Sequence, residues 1–434
     1  MSALVVGWAL LAATFSAVAL FRLHAQPERA GRARGDRRSP PPFTPSGVEG
    51  PALNEDPDAR TPCGNWRRPL DSARGDRGSN PLSLTGLSQS ESSASTLPGI
   101  SPARIRRRPH VLLIRPVDAP TPLELENFAT PVDYSGELTH VVVSPFRPRL
   151  SSANVRWLPS DPLTRNRKVG HLCYALATLP RHKDMVVLCI DADVRVDGAL
   201  VAGLVEALRN GAALAWAAPH PSEAGSLVGK AVRGLLVQSH HAFTALDVMS
   251  SGAKSVCGKA LGLSEAALGA LATLHDSIGE DLELSQRLAE RGLTVSLTDA
   301  PALVPQPARV SPGEVFDRFT RWMQVLRAHR PALFPSVPLF FSPTPVLMVL
   351  AAVSGSVAAA ASLCVLVSVR IALANRLDRR PGLRYEWLLA ELLLSACWLE
   401  SLRRGRTVTW RGRRFTLASG GKMQAASSPG EEVA

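Results

Sequence analysis

The sequence predicts an α/β domain with a mainly parallel sheet, joined to an amino-terminal transmembrane anchor and to carboxyl-terminal membrane helices. Apolar, β-favouring runs alternate with helical patterns across 109–330, which is typical of a parallel sheet covered by helices. The run 185–190 is apolar throughout and is followed by Asp191 and Asp193, as at the end of a buried strand. Residues 3–21 carry no charge and are long enough to cross a bilayer.

The first predicted element is a membrane anchor over 1–24. No basic residue precedes its apolar core, and six arginines follow between residues 22 and 38. By the positive-inside rule, the amino terminus lies outside and the rest of the chain lies in the cytoplasm. A cleaved signal peptide is the alternative, and the missing basic region at its start disfavours it.

Residues 25–108 form the second predicted segment. They are rich in Pro, Gly, Ser, Arg and Asp and hold few large apolar side chains. Such a segment cannot bury enough apolar surface to offset the entropy lost on ordering, so we expect a disordered linker.

Residues 109–330 form the predicted globular domain. The strands are expected at 110–114, 138–143, 185–190, 212–217 and 293–297, and the helices at 165–179, 198–209, 226–247, 264–273 and 281–291. Alternation of this kind favours a mainly parallel sheet with helices on both faces.

Residues 331–400 are expected to form transmembrane or interfacial helices, and 401–434 a basic tail. The stretch 345–369 is apolar enough for one span. Positive charge on both flanks favours a hairpin or two short spans that return to the cytoplasm, while a single span stays open as an alternative. The piece 387–399 contains Glu391 and is short for a span, so we expect it in the bilayer interface.

The charge pattern points to a membrane partner. The chain has 434 residues and a formal net charge of +12, and its basic runs adjoin apolar segments. Nucleic-acid binding is the competing explanation, but no aromatic-interleaved basic patch or finger spacing is present, so we expect no nucleic-acid partner. The six cysteines have no paired spacing, which argues against a disulfide framework or a zinc site.

The acids that follow the run 185–190 are the strongest chemical signal. At the carboxyl end of a parallel strand, Asp191 and Asp193 can hold a divalent cation, and that cation can hold a diphosphate. A solvated turn is the alternative. Upstream, Asn166, Arg167 and Lys168 open a predicted helix, which is either an anion site or a solvated cap.

Three further motifs follow in order. Gly258 and Lys259 lie between apolar segments, where glycine allows either a tight turn or close approach to a ligand. Asp281 begins a helical pattern, where an acid either opposes the helix dipole or takes a proton from an acceptor hydroxyl. Arg318 and Arg321 share a helix face before Trp322, so they either neutralise a diphosphate or snorkel at a bilayer surface.

The ordered set of motifs resembles the ceramide glucosyltransferase family, which includes bacterial hopanoid-biosynthesis glycosyltransferases. The motifs are Asn-x-Lys-Val at 166–169, Asp-Ala-Asp-Val-Arg-Val at 191–196, Gly-Lys at 258–259, Glu-Asp-x-x-Leu-x-x-Arg at 280–287 and Arg-x-x-Arg-Trp at 318–322. The resemblance covers roughly 109–345, and the segment 407–415 is similar to the family's tail.

This resemblance implies a GT-A fold and a membrane-bound, inverting glycosyltransferase. It implies transfer from a nucleotide sugar, a UDP-sugar, to a lipid hydroxyl such as that of ceramide or a hopanoid, with Mg²⁺ or Mn²⁺ as cofactor. The expected location is integral and multi-pass in the bacterial inner membrane, with a cytoplasmic catalytic domain.

The resemblance also implies roles for individual residues. Asp281, with Glu280 beside it, would act as general base; Asp191 and Asp193 would bind the metal; Lys168, Asp191, Arg318, Arg321 and Trp322 would bind the donor and its diphosphate; and Gly258, Lys259 and His240 would lie on the acceptor side.

Two positions depart from the family pattern. The family usually carries an acid after the second strand, where this chain has Ser144, Pro145 and Phe146. Arg115 stands where lysine is common. The missing acid keeps an alternative open, in which the chain is a catalytically degenerate homologue acting as a membrane scaffold or a lipid-binding protein.

Overall fold

The computed structural model describes residues 1–25, 108–150, 152–182, 184–249, 255–307, 309–378 and 384–425. Nearly all of the predicted linker, 25–108, lies outside the described residues. The described residues belong to one compact unit of the chain.

Helices and strands alternate along the middle of the chain, and helices predominate on either side of it. The helices are α1 (Ser2–Ala25), α2 (Pro122–Ala129), α3 (Arg167–Thr178), α4 (Gly198–Arg209), α5 (Leu227–Met249), α6 (Glu265–Leu271), α7 (Glu280–Glu290), α8 (Pro312–His329), α9 (Thr344–Ser354), α10 (Val357–Asp378) and α11 (Glu386–Arg404). The strands are β1 (Val111–Pro116), β2 (Leu138–Ser144), β3 (Val155–Pro159), β4 (Val186–Ile190), β5 (Leu214–Trp216), β6 (Pro219–Pro221), β7 (Ala260–Leu263), β8 (Val295–Leu297), β9 (Ala302–Val304), β10 (Thr407–Trp410), β11 (Arg413–Leu417) and β12 (Met423–Ala425).

The core is a seven-stranded sheet in the order β3-β2-β1-β4-β7-β5-β8. All neighbouring pairs are parallel except those of β7, which is antiparallel to β4 and β5. The expected mainly parallel sheet is therefore confirmed. Strand β7 was missed, and 257–262 was interpreted as a tight turn or a close approach to a ligand, because a strand of four residues with a central glycine gives almost no periodic signal.

Helices cover both faces of the sheet, as predicted. In β1, Leu112 and Ile114 join the cluster formed with α3, α6 and α7. Val111 and Leu113 join the opposite cluster formed with α4. This alternation follows from the two-residue period of a strand and explains why β1 is apolar along most of its length.

Two helices are long and apolar enough to cross a membrane, namely Ser2–Phe21 within α1 and Val357–Leu377 within α10. The stretch 345–369 does not form one continuous helix, which disfavours the single span that was the alternative to a hairpin. Helix α9 ends at Ser354, and Gly355 adopts a left-handed φ of 58°, which breaks the helix before α10 begins. Hydropathy cannot detect this break, because both sides of it are equally apolar.

Helices α1 and α10 run in the same direction. The first half of α1 packs with the start of α10 and with α9, whereas Phe15 and Ala19 near its end pack with Leu373. Since α9 and α10 are joined by a tight turn, the chain runs away from α5 along α9 and returns towards α5 along α10. This arrangement is compatible with the hairpin that the flanking positive charges favoured, and the crossing of a membrane by that hairpin stays a prediction.

Helix α11 extends the predicted apolar piece, 387–399, at both ends. One of its faces packs against α5 and α8. Its Glu391 is 1% exposed, and its carboxylate lies 3.2 Å from the guanidinium of Arg370 on α10. The charge that argued against a span is thus paired inside the helical assembly.

The predicted basic tail, 401–434, contains an antiparallel sheet of three strands in the order β10-β11-β12. Its apolar side chains, including Val408, Phe415 and Leu417, pack with Ile278 and with Val325 of α8. The tail therefore shares a hydrophobic core with α8 and with the segment before α7.

Candidate active site

The predicted site lies where β4 ends and β7 begins. Asp191 and Asp193 follow β4, and the Asp191 backbone N–H donates to the carbonyl of Lys259 at 2.8 Å. Because β7 is antiparallel to β4, its first residues meet the last residues of β4. Strand β7, which has no clear sequence signal, therefore places Gly258 and Lys259 next to Asp191 and Asp193.

Lys168 joins the separate motifs into one cleft. Its ammonium lies 2.8 Å from Asp191 Oδ1 and 3.1 Å from Glu280 Oε1, and it donates to the carbonyl of Gly258 at 2.9 Å. The backbone N–H of Gly258 in turn donates to Asp281 Oδ2 at 2.6 Å. Asp191 after β4 and Glu280 at the start of α7 thus contact the same ammonium group.

Asn166 holds α3 and α7 in this arrangement. Its side-chain oxygen accepts from the Val169 N–H at 3.2 Å and caps α3. Its amide donates to the carbonyl of Ser277 at 2.7 Å and to Glu280 Oε2 at 3.1 Å. Its motif indicated only an anion site or a cap, since the partner on α7 is 114 residues away.

Asp281 has the protonation behaviour expected of a base. Burial raises the pKa of Asp281 to about 6, and the nearby charge of Glu280 adds to this effect. Backbone N–H groups of Gly258 and Leu282 hold its two oxygens. Helix α7 begins directly after Gly279, whose φ of 74° favours glycine, so both acids lie in its first turn.

The neighbouring charged groups behave in the opposite way. Burial would raise the pKa of Glu280, but Lys168 and the Asn166 hydrogen bond outweigh it, and the pKa lies below its usual value. Burial would lower the pKa of Lys168, but Asp191 and Glu280 hold it well above its usual value. Glu280 and Lys168 are therefore a charged pair at neutral pH, whereas Asp281 is the group poised to exchange a proton.

Lys259 contacts Asp193, and the positive charge of Arg318 also acts on it. The ammonium of Lys259 contacts Asp193 Oδ2 and lies 3.6 Å from Asp191 Oδ2. Burial would raise the pKa of Asp193, but Lys259 and Arg318 outweigh it and keep this pKa low. Lys259, expected on the acceptor side, thus lies against the two acids of the predicted metal and donor site.

The acidic pair fits a divalent cation as a partial ligand set. Asp193 Oδ1 is buried and makes no hydrogen bond within the described part of the chain. A carboxylate oxygen of this kind is available to Mg²⁺ or Mn²⁺, which are often held by one or two carboxylates together with substrate phosphates. Among the described residues, no group of three or more His, Cys, Asp or Glu side chains forms a complete cage.

Arg115 holds the backbone of residues 191–194 through hydrogen bonds, a role that its sequence position did not predict. Its guanidinium is fully buried and donates to the carbonyls of Asp191, Ala192 and Val194 at 2.9, 3.1 and 2.6 Å. Burial lowers its pKa to about 10, so it stays charged at neutral pH. It also lies 5.0 Å from the ring centre of Phe128.

The Arg-x-x-Arg-Trp motif on α8 has one arginine near the acidic cleft and the other on the tail sheet. Arg318 acts on Asp193 and lies 5.5 Å from the ring of Trp322. Arg321 donates to the carbonyl of Thr409 in β10 at 3.4 Å, so it contacts the tail sheet. Trp322 packs on the apolar cluster of α5, α8 and α11. His240 belongs to α5, and its side chain is outside the described residues.

A cavity of about 280 Å³ opens beside this cleft, at the carboxyl ends of β1 and β2. Its lining includes four arginines and three aromatic side chains, namely Arg165, Arg167, Arg411, Arg413, Phe146, Trp410 and Phe415. Asp118 is held there by Arg167 at 2.7 Å, by His171 at 3.0 Å and by Arg411 of the tail. Asp118 thus brings an acid to the region where the family acid after β2 is missing.

Solved structures that match part of the chain include two in complex with a UDP-sugar. Glucosyl-3-phosphoglycerate synthase from Mycobacterium tuberculosis, in complex with Mn²⁺, UDP-glucose and phosphoglyceric acid, gives a TM-score of 0.32 at 17% identity, over 50% of this chain and 79% of that chain. S. aureus TarS 1-349, in complex with UDP-GlcNAc, gives a TM-score of 0.27 at 12% identity, over 73% of this chain and 99% of that chain. No curated protein sequence matches the chain.

A family model described as glycosyl transferase family 21 matches residues 153–423, which is more than half of the chain. The match runs from β3 to the start of β12, so it includes the acidic cleft, α8 and the tail sheet. It begins later than the resemblance over 109–345 and extends further. The α/β fold with a mostly parallel sheet is the GT-A-like arrangement that the resemblance implied. The chain belongs to glycosyl transferase family 21, the ceramide glucosyltransferase family, and is a glycosyltransferase.

Proposed function

We propose that the protein transfers a sugar from a UDP-sugar to a lipid hydroxyl, with inversion at the anomeric carbon. The observation that carries this proposal is the shared cleft, in which Lys168 contacts Asp191, Glu280 and Gly258, while Gly258 holds Asp281. A donor site and a proton acceptor side by side are what glycosyl transfer to a hydroxyl requires.

The donor is proposed to lie across the acidic cleft and the neighbouring cavity. The cavity's arginines and aromatic rings suit an anionic ligand with a flat base, and its volume suits the nucleoside end alone. Lys168, Lys259 and Arg318 would then face the diphosphate. Mg²⁺ or Mn²⁺, held by Asp191 and Asp193, would supply further positive charge, which offsets the negative charge of the leaving diphosphate.

Asp281 is proposed to take the proton of the acceptor hydroxyl as its oxygen attacks the sugar. The bond from the anomeric carbon to the phosphate oxygen breaks, and the diphosphate leaves with the bonding electrons. General-base help of this kind is typically worth about a hundredfold to ten-thousandfold in rate. Attack from the face opposite the leaving group inverts the anomeric carbon.

The lipid acceptor is proposed from the apolar helices. Helices α1 and α10 are long and apolar enough to cross a membrane, and α9 and α11 carry exposed apolar side chains such as Val353 and Leu399. We propose an anchor at 1–24, a linker at 25–108, a catalytic domain at 109–330, membrane helices at 331–400 and a tail at 401–434. A lipid such as ceramide or a hopanoid would then reach Asp281 from the bilayer surface, with the catalytic domain cytoplasmic.

The test is the substitution Asp281→Asn. We expect glycolipid formation from UDP-glucose and detergent-solubilised ceramide or hopanoid to be lost, because the amide cannot accept the proton. Binding of UDP with Mn²⁺, measured by calorimetry, should stay close to that of the unchanged protein, since Lys168 and Lys259 form their ion pairs with Asp191, Asp193 and Glu280 and not with Asp281.

A matched control is Glu290→Gln, an exposed acid at the other end of α7. This variant should retain transfer. Unchanged turnover in Asp281→Asn would overturn the assignment of the base. A complete lack of UDP binding by the unchanged protein would favour the degenerate homologue that the missing acid after β2 suggests.

A further inference from the structure

The tail sheet β10–β12 contacts the active site through the segment that leads into α7. Ser277 pairs with Lys422 in an antiparallel bridge. The backbone N–H of Ile278 donates to the carbonyl of Gly421 at 3.0 Å, and the N–H of Met423 donates to the carbonyl of Asp276 at 2.8 Å. Residues 276–278 thus pair with residues 421–423 of the tail, as a short neighbouring strand would.

This segment fixes the start of α7. Ile278 precedes Gly279, and Gly279 precedes the two acids of the cleft, so no flexible connection separates the tail contacts from Asp281. Gly279 itself is confined, since a Cβ at this position would lie 2.6 Å from Val325 of α8. A shift of residues 276–278 must therefore move the first turn of α7.

The other side of the tail sheet is fastened to α8. Gln324 donates to the carbonyls of Gly405 and Thr407 at 3.1 and 2.8 Å, and Arg321 donates to that of Thr409. His329, at the end of the same helix, lies 2.7 Å from the carbonyl of Ile278 through Nε2. The sheet and α8 together hold the segment from both sides.

We propose that the tail sheet is a positioning element for the general base. It holds residues 276–278 so that Asp281 stays within reach of both the Gly258 N–H and the acceptor hydroxyl. The Arg-x-x-Arg-Trp helix serves the base through the tail, with Arg321 and Gln324 as positioning residues. This inference rests on the proposed function, in which Asp281 is the base.

Two adjacent glycines of the tail give a matched pair of variants. Gly420 and Gly421 have φ values of 70° and 68°, so alanine strains the backbone equally at either position. A Cβ at 421 would lie 2.0 Å from His329 Nε2 and 2.6 Å from the carbonyl of Ile278, whereas a Cβ at 420 has its nearest neighbour at 3.8 Å. Gly421→Ala therefore displaces the segment, and Gly420→Ala does not.

The experiment compares both variants with the full-length protein in detergent. Gly421→Ala should lower kcat about a hundredfold, the size expected when a reacting group is misplaced by about 1 Å, with KM for the UDP-sugar changed less than about threefold. Hydrogen exchange of the amides of 276–284 should become faster in this variant. Gly420→Ala should match the unchanged protein in both measurements.

Equal kcat in the two variants, or exchange at 276–284 that is the same in both, would overturn the proposal. If the tail sheet only stabilised the fold, both variants would give less folded protein and a higher KM. A fall in kcat confined to Gly421→Ala would then not be seen. If the unchanged protein transfers no sugar, the exchange measurement still tests the coupling, and the proposed function fails separately.

Discussion

At the scale of single residues, the site separates two neighbouring carboxylates by their surroundings. Glu280 contacts Lys168 and Asn166, so its pKa is lowered and it remains charged. Asp281 accepts from two backbone N–H groups, has no ammonium within salt-bridge distance among the described residues, and its pKa is raised to about 6. Adjacent acids with pKa values pushed apart can divide the work, one holding cations and the other exchanging a proton.

The raised pKa of Asp281 predicts the pH dependence of turnover. A general base works only when deprotonated, so kcat should fall as the pH decreases through about 6. In Glu280→Gln, the negative charge that helps to raise the Asp281 pKa is lost, and this limb should move to lower pH. Initial rates between pH 4.5 and pH 8 would check both expectations, and a limb that moves to higher pH in Glu280→Gln would contradict them.

Sequence motifs located Asp191, Lys168 and Asp281, because each belongs to a short local pattern. Arg115 and Asn166 could not be assigned roles in this way. Arg115 looks like a departure within an apolar strand, and its function follows from the pairing of β1 with β4, which aims its side chain at the backbone after β4. Roles that depend on strand order leave no local signal.

At the scale of elements, one buried ion pair fastens α10 to α11. Arg370 and Glu391 are 2% and 1% exposed, and Glu391 also accepts from the backbone N–H of Thr344 at 2.8 Å. Removing two charges from water costs free energy, and the attraction between them roughly offsets that cost only while both are present. The pair therefore fixes the arrangement of these helices more than it adds to the free energy of unfolding.

This ion pair predicts an unequal pair of stability changes. Arg370→Leu leaves Glu391 buried without its counter-charge and should lower the free energy of unfolding by about 3–5 kcal/mol, whereas Arg370→Leu with Glu391→Leu should recover most of the loss. Unfolding in detergent, followed by circular dichroism, measures both. The exposed pair Arg181–Glu265 supplies the control, because Glu265→Gln should cost less than about 1 kcal/mol. A double variant no more stable than the single one would contradict the argument.

Long, strongly patterned elements were the predictable ones. Helix α4 was expected at 198–209 and is observed with those bounds, because its apolar residues repeat with the helical period and Asp197 caps it. Strands β7 and β10–β12 were missed, since they are three to five residues long and are stabilised by distant partners. The position of the break at Gly355 was not predicted, because the apolar composition is the same on both sides of it.

At the scale of the whole molecule, the apolar helices have a common direction. Helices α1 and α10 run in parallel, and the later halves of both pack towards α5, beside the catalytic region. The start of α1 and the turn between α9 and α10 therefore lie together at the far end. If α1 and α10 cross a membrane, the catalytic region and the tail sheet must lie on one side of it, because the tail sheet packs on α8.

This geometry predicts the accessibility of single cysteines placed in a variant whose six native cysteines are replaced. Leu4→Cys and Val357→Cys, at positions 64% and 85% exposed, should react with a membrane-impermeant maleimide added outside intact cells. Leu163→Cys, at a position 88% exposed, and Arg414→Cys in the tail should react only after the membrane is opened. The expected split follows from the proposed hairpin, in which residues 384–425 lie on the same side of the membrane as the catalytic region. Labelling of both Arg414→Cys and Val357→Cys in intact cells would mean that α10 does not cross the membrane, and it would overturn the proposed topology.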